Sequence, residues 1–465
     1  MTDLAVELDL PAAGVDEPHS IRIDNPADGR LVGRVAMATR EEVTDTLARA
    51  REARYTWART PAADRGAALR AAAAALRERA DDLASVNQAE TGKPLDEAKG
   101  GVLAGAGTLE QYAELGPVHR GRSLLGDVSA TDLMVPEPHG VVAALTPWND
   151  PVAVACGLLG AALAVGNTVV YKPSERCPHT GLMLGELLIP HFPDGVLSSV
   201  AGDGQVGSWL AGSPEVDLIA HVGSTATGRS IAEGAARTGA KVLLENGGND
   251  PLLVDADVDP VWAAKQAATG AFANSGQICV AVERIYVHDA IADAFVDALT
   301  AEADRIGLTP LVDVPHRDGV HEQVTAAVAD GARLRAGGVV PGGPGSYYPA
   351  TVLAGCSPDM RVMSEETFGP VAPVRAVSDF EQGLNEACAG RYGLAATVLT
   401  TSMEHAQRAW RSLPVGTVKV NAVFGGAPGG AAEPRRASGQ GFGYGPELLD
   451  EMTATKVVHI EPAPG

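Results

Sequence analysis

A chain of 465 residues is too long for one growing core and calls for two large domains, with or without a small appendage, and its 45% apolar content supports packed structure over disorder. A formal charge of −22 sets net repulsion against a nucleic-acid backbone or an anionic membrane, which leaves small molecules as the natural partners. Five cysteines, odd in number and widely spaced, suggest neither a zinc cluster nor a disulfide framework and fit a reducing cytoplasm, and no apolar run reaches membrane-spanning length.

In chain order, the first thirty or so residues mix Pro, Asp and Gly around short apolar pieces, as an extended lead-in would, and the start lacks the basic and apolar regions of a signal peptide. Helical periodicity follows over Glu41 to Ala58 and Asp64 to Glu90, the second with Leu69, Leu76 and Leu83 on one stripe. Glu90-Thr91-Gly92-Lys93-Pro94 interrupts it, and Leu95 to Leu115 is helical again. From His139 the pattern becomes short apolar strands alternating with helices: Val141 to Leu145, Thr168 to Tyr171, Val196 to Val200, Leu218 to Val222 and Val242 to Leu244. This predicts an α/β domain with a largely parallel sheet.

A second pattern starts at Asp250-Pro251, with a helix around Pro260 to Phe272, a strand Arg284 to His288 and a helix Ala290 to Ile306. The stretch 308–319 is turn-rich, Glu322 to Leu334 reads as helix, and Phe380 to Ala389 and Glu404 to Leu413 as further helices. A short helix at Glu447 to Met452 precedes a terminal strand, Val457 to Ile460, suited to pairing with another sheet edge, including one across a subunit interface.

Chemistry concentrates around Phe272-Ala273-Asn274-Ser275-Gly276-Gln277-Ile278-Cys279. A thiol is a strong nucleophile as thiolate, a state that helix-terminal amides or a nearby base would supply. Taken alone, any one of five cysteines is more often structural than catalytic, so context decides. Thr146-Pro147-Trp148-Asn149-Asp150-Pro151, Lys172-Pro173-Ser174-Glu175, Gly223-Ser224-Thr225-Ala226-Thr227-Gly228 and Leu244-Glu245-Asn246-Gly247-Gly248-Asn249 each follow a predicted strand. Together with Gly276 to Cys279, Glu365-Glu366-Thr367-Phe368-Gly369-Pro370 and Tyr392 to Ala396, in this order, the chain resembles the aldehyde dehydrogenase superfamily over nearly its whole length.

The resemblance implies an NAD-dependent enzyme of the hydrolytic type that turns an aldehyde into a carboxylic acid. It implies an α/β fold with a Rossmann-like dinucleotide-binding domain (1–117 and 137–248), an α/β catalytic domain (249–454) and a small β oligomerisation arm (118–136 and 455–465), assembled as a homodimer or homotetramer. Cys279 matches the nucleophile, Asn149 the side chain that forms the oxyanion hole with the Cys279 N–H, and Glu245 the base that activates water against the thioester. Gly223, Ser224 and Gly228 match the loop and helix start that receive the pyrophosphate, a segment that does not itself show the G-x-G-x-x-G fingerprint. Thr146, Pro147, Trp148 and Ser174 belong to matching cofactor motifs, Lys172 and Glu175 match residues facing the adenosine ribose, and Glu366 and Phe368 match those at the nicotinamide end. A carboxylate at Glu175 favours NAD over NADP, because it would repel a 2′-phosphate.

Several positions depart from the family pattern. Asp150 stands where Phe is common and Gly157 where a bulkier group is common; with Val280 these are substrate-pocket candidates, and Asp150 raises the hypothesis of selection for cationic aldehydes. His221 and Val222 replace Phe and Thr, Asn246 replaces an aliphatic residue, and Arg435 lies in an altered run. Ala454 is expected where relatives carry a second Glu near the water route, and the segment 307–318, distant in sequence from every catalytic motif, is expected to be a trimmed surface loop with no loss of chemistry. Two other readings stay open: an acyl-transferring dehydrogenase, which generally lacks the Glu at 245, and a catalytically weak family member with a binding or structural role.

Overall fold

The computed structural model describes residues 19–307, 309–426 and 429–463; the expected lead-in lies largely outside them. Two parallel sheets organise the chain. The first has six strands in the order Gly439–Gln440, Lys241–Glu245, Leu218–Val222, Val141–Leu145, Thr168–Lys172 and Leu197–Ser199, all parallel except the first. Chain order reverses between Val141–Leu145 and Leu218–Val222, so connections leave these neighbours toward opposite faces and a crevice opens at their carboxyl ends. Helices cover both faces, and Val141–Leu145 and Thr168–Lys172 are buried at every residue, which is why they read as unbroken apolar runs.

The second sheet has seven strands, with Arg333–Ala336 antiparallel at one edge and Thr351–Ala354, Val371–Val377, Val282–His288, Asp250–Val254, Ala395–Leu399 and Thr417–Val420 parallel. It presents the opposite strand ends to the crevice. Gly248, Cys279 and Phe368 lie just ahead of Asp250–Val254, Val282–His288 and Val371–Val377, whereas Glu245 ends a strand of the first sheet. The two sheets thus bring strand starts and strand ends together.

A three-stranded antiparallel sheet projects from the body: Arg122–Leu124, Thr131–Pro138 and Thr453–Ile460. The terminal strand is longer than its apolar run suggested and pairs along Thr131–Pro138 of the same chain, leaving its outer edge open. No helix of the described residues is long and apolar enough to cross a membrane, and all five cysteines are free.

Two element expectations need correction. The helix expected over Asp64 to Glu90 is two, Ala62–Glu78 and Ala80–Thr91, because Arg79 leaves helical geometry (φ −104°, ψ 20°). Leu69, Leu76 and Leu83 are nevertheless all fully buried, so the apolar stripe continues across the break. The helix expected over Glu322 to Leu334 instead runs Val314–Ala329, capped by the Asp313 carboxylate accepting from the His316 N–H (2.8 Å) and carrying Pro in its first turn. Gly331 at φ +104° follows, and Arg333–Ala336 is an edge strand.

Candidate active site

The crevice is a cleft of about 840 Å³ whose wall includes Thr146, Pro147, Trp148, Asn149, Lys172, Ser174, Glu175, Gly223, Ser224, Glu245, Cys279, Glu366 and Phe368. Asp150, Gly157, Gly228 and Val280 lie off that wall, although Asp150 and Val280 adjoin residues on it.

Cys279 sits on a loop shaped by three consecutive left-handed residues, Asn274 (φ 47°), Ser275 (φ 54°) and Gly276 (φ 73°). Only glycine fits at 276, since a Cβ there would collide with the Gly369 carbonyl. Such backbone persists when surroundings overdetermine it. Here the Gln277 N–H and side-chain amide both donate to the Asn274 carbonyl (3.1 Å each), the Asn274 amide donates to the Gln277 carbonyl (3.1 Å), and the Gln277 Oε1 accepts from the Val312 N–H (3.0 Å).

The Cys279 thiol donates to Glu245 Oε1 across 3.8 Å. Burial pushes the thiol well above its ordinary range, and the nearby carboxylates of Glu245, Asp250 and Glu366 push it further, against the Val280 N–H, which favours the thiolate. The loop follows the C-terminal end of helix Pro260–Phe272. Of the two expected aids to the thiolate, helix-terminal amides or a nearby base, the base is the one in contact with the sulfur, and it is Glu245. Its own carboxyl is raised by burial, partly offset by the bond from Cys279. Asn149 reaches the same loop, its Nδ2 donating to the Gln277 carbonyl at 3.1 Å.

Residue 443 faces Glu245. A Cβ on Gly443 would collide with Glu245 Oε2, whereas Ala454 lies on the three-stranded sheet opposite Glu137. Ala454 is thus not on the water route, and the expectation that placed it there is corrected.

At the other end, helices Gly204–Ala211 and Thr225–Thr238 contribute small residues to the wall, among them Gly204, Gly207, Ala211 and Gly234, leaving a slot for a flat base. Ser224 caps the second helix by accepting from Thr227 N–H at 3.2 Å, which puts a helix N-terminus on the cleft. Lys172 Nζ is buried and donates to the carbonyls of Pro173 (2.8 Å) and Gly202 (2.7 Å), with Glu175 at 3.8 Å. Buried polar atoms without partners gather on the same wall: Thr146 Oγ1, both ring nitrogens of His221 and Asn246 Oδ1. Burial also pushes the His221 imidazole down to about 4, so at neutral pH it is uncharged, with one donor and one acceptor. Slot, helix terminus and unmet polar atoms fit a dinucleotide.

Asn246 meets its need for partners only in part, donating to the Ala437 carbonyl at 3.2 Å. It also explains Gly228, where a Cβ would strike the Asn246 side chain. The segment 309–318 is not remote. His316 lies on the cleft wall, bonds the Phe368 carbonyl through Nε2 at 2.8 Å, and packs edge-on against Trp148 (5.5 Å) and Phe368 (6.2 Å). Arg176, also on the wall, stands over the Trp148 ring and pairs with Asp313 at 3.3 Å. Sequence reasoning missed both residues; the Asp313 cap and Pro315 were the available signal that a helix starts there.

Glu366, half-buried on the cleft wall, and the buried Glu283 form a carboxyl pair near Cys279. Burial and mutual repulsion push Glu366 up to about 8, against the Gly248 N–H it accepts (3.0 Å). Between the ordinary value of 4.5 and about 8 the folded chain binds the extra proton, so stability is fully present below the lower value and falls as pH rises through the window. Glu366→Gln is expected to match the parent in thermal unfolding at about pH 5 and to exceed it increasingly toward about pH 8, by up to about 1.4 kcal/mol for each pH unit crossed. A difference independent of pH, measured without dinucleotide, would contradict this.

The sequence profile described as "Aldehyde dehydrogenase family" matches residues 15–458. The fold is similar to that of lactaldehyde dehydrogenase from Escherichia coli (32% identity, 95% of this chain and 96% of that one, TM-score 0.92). It is equally similar to an NAD-dependent aldehyde dehydrogenase from Sinorhizobium meliloti (33%, 96% and 92%, TM-score 0.91). A betaine aldehyde dehydrogenase from Staphylococcus aureus, solved in complex with NAD+, matches at 30% identity over 96% and 93% of the two chains with a TM-score of 0.92. A thiol and a carboxylate meeting at the edge of the cleft, a family profile matching residues 15–458 and a fold shared with these enzymes over 95–96% of the chain make it a member of the aldehyde dehydrogenase family.

Proposed function

We propose that the protein oxidises an aldehyde to a free carboxylic acid with NAD, holding the acyl group on Cys279 and releasing it to water. The observation that carries this reading is the 3.8 Å contact between the Cys279 thiol and Glu245 within the cleft, with the Asn149 amide on the same loop. Glu245 accepts the thiol proton as sulfur bonds to the carbonyl carbon. The oxygen gains negative charge, which the Cys279 N–H and Asn149 Nδ2 stabilise, the latter by exchanging the Gln277 carbonyl for the oxyanion. When bound, the nicotinamide ring supplies the hydride acceptor. Cys279 is then acylated as a thioester; Glu245, once its proton has passed to solvent, takes a proton from water, hydroxide adds to the acyl carbon, and the carbon–sulfur bond breaks as that proton passes from Glu245 to the departing sulfur, restoring the thiol and the carboxylate.

Trp148, Phe368 and Glu366 hold the nicotinamide end, Ser224 and Gly223 the pyrophosphate, and Glu175 the adenosine ribose. Solved relatives include an NADP dependent enzyme from E. coli, so family membership leaves the choice open. NAD is favoured here because Glu175 offers a carboxylate while Lys172 is engaged by two carbonyls. Release as free acid is favoured over acyl transfer by Glu245. The open edge of Thr453–Ile460, with Leu125, Val128, Val457 and Ile460 exposed nearby, supports assembly into a homodimer or homotetramer.

The test is NADH formation from a panel of short aliphatic, aromatic, semialdehyde and aminoaldehyde substrates without coenzyme A or phosphate. Turnover to free acid is expected; dependence on either acceptor would replace hydrolysis by acyl transfer, and no NADH from any aldehyde would overturn the reading.

A further inference from the structure

Lys93 lies between two breaks that fix its place: Gly92 ends helix Ala80–Thr91 at φ 73°, and Pro94 opens Leu95–Leu115. Its side chain is only 11% exposed, and burying an ammonium is costly unless it is paired and hydrogen-bonded. Both partners belong to one stretch of backbone. Nζ donates to the Asn149 carbonyl at 3.2 Å and lies 3.6 Å from Asp150 Oδ1. Asp150 is in turn pressed against helix Leu95–Leu115 at Gly101, where a Cβ would approach Oδ1 to 2.7 Å. The Asn149 main chain is thus held by Lys93, while its side-chain amide bonds the Gln277 carbonyl of the nucleophile's loop.

We propose that Lys93 is a positioning residue for the oxyanion-binding amide of Asn149, with Asp150 as its counter-ion in place of a contact to a cationic substrate. The inference rests on the aldehyde-oxidising reading above. An oxyanion donor is effective only when it is already aimed at the developing charge, and sub-ångström misplacement weakens it at the transition state while leaving ground-state binding alone. Lys93 is suited to the task because it acts on the backbone, where a shift would carry the Asn149 side chain with it.

The test compares Lys93→Met, Lys93→Arg and Asp150→Asn in three reactions of the full-length protein. Aldehyde oxidation and NAD-free hydrolysis of an activated aryl ester both place charge on a carbonyl oxygen; alkylation of Cys279 by iodoacetamide does not. For Lys93→Met, kcat should fall about tenfold in both carbonyl reactions. Its alkylation rate and its affinity for NAD, read by protein fluorescence, should stay within about twofold of the parent. Lys93→Arg should recover most of the loss. Asp150→Asn, which keeps the Lys93 bond to Asn149, should lose about threefold in kcat without altering the preference between an aminoaldehyde and its neutral isostere. Unchanged carbonyl reactions in Lys93→Met, or a parallel fall in alkylation and NAD binding, would overturn the proposal; so would a shift of the aminoaldehyde preference in Asp150→Asn. If the parent protein forms no NADH from any aldehyde, the functional reading fails, while ester hydrolysis and alkylation still decide the role of Lys93.

Discussion

Replacing Cys279 by Ser is expected to lower NADH formation by about 10⁴-fold or more, while leaving NAD affinity within about twofold of the parent. Serine keeps the size and a hydrogen to donate to Glu245, so the cleft is undisturbed. The change is chemical: a hydroxyl gives up its proton far less readily than a thiol, and a buried carboxylate is too weak a base to compensate. The other cysteines offer no substitute. Cys156, Cys177 and Cys356 are buried off the cleft wall, and Cys388, also off it, donates to the Ser412 carbonyl at 3.6 Å. Initial rates together with fluorescence titration of NAD, with Trp148 on the cleft wall as a natural reporter, check both halves. Retained activity in the serine variant would remove Cys279 from the mechanism.

Glu245→Gln is expected to separate the two halves of the reaction. The amide still fills the space beside Gly443 but accepts no proton, so the first acylation proceeds more slowly and deacylation falls by about 10²- to 10⁴-fold. Stopped-flow traces should then show NADH released up to one equivalent per site, followed by a near-flat phase. In the parent, burial raises the Glu245 carboxyl, so the fraction able to act as base grows as pH rises through its pKa, and steady-state turnover should climb with it. That limb should be missing in the Gln variant. If it survives unchanged, another group limits the rate.

Much of this was legible in the sequence because parallel strands buried on both faces leave continuous apolar runs. The expected Val141 to Leu145 and Leu218 to Val222 coincide with observed strands, and the helix expected around Pro260 to Phe272 is observed as Pro260–Phe272. Motifs following those strands could be assigned to the cleft because open α/β sheets present it at their carboxyl ends. What stayed hidden depended on contacts between distant residues. Nothing local to Asn274 and Ser275 announces two non-glycine residues at positive φ; their backbone is held by Gln277 and by packing of Gly276 against Gly369. His316 reads as a polar residue near a helix start until the fold brings it to Trp148 and Phe368.

Charge was the least legible property. The sequence places Cys279 near a base but cannot reveal that Asp250, Glu366 and Glu245 all bear on its sulfur, or that Lys93 already neutralises Asp150. These are sums over three-dimensional neighbours. They favour the thiol over the thiolate at Cys279, and the proposed mechanism therefore assigns both removal of its proton and activation of water to Glu245.

The central claim is most directly tested by the mass of the Glu245→Gln protein after incubation with an aldehyde and NAD. A gain equal to one acyl group, mapped by peptide digestion to Cys279 and reversed by hydroxylamine, is the predicted result. An unmodified protein after NADH has been released, or an acyl group carried by any other residue, would contradict the account.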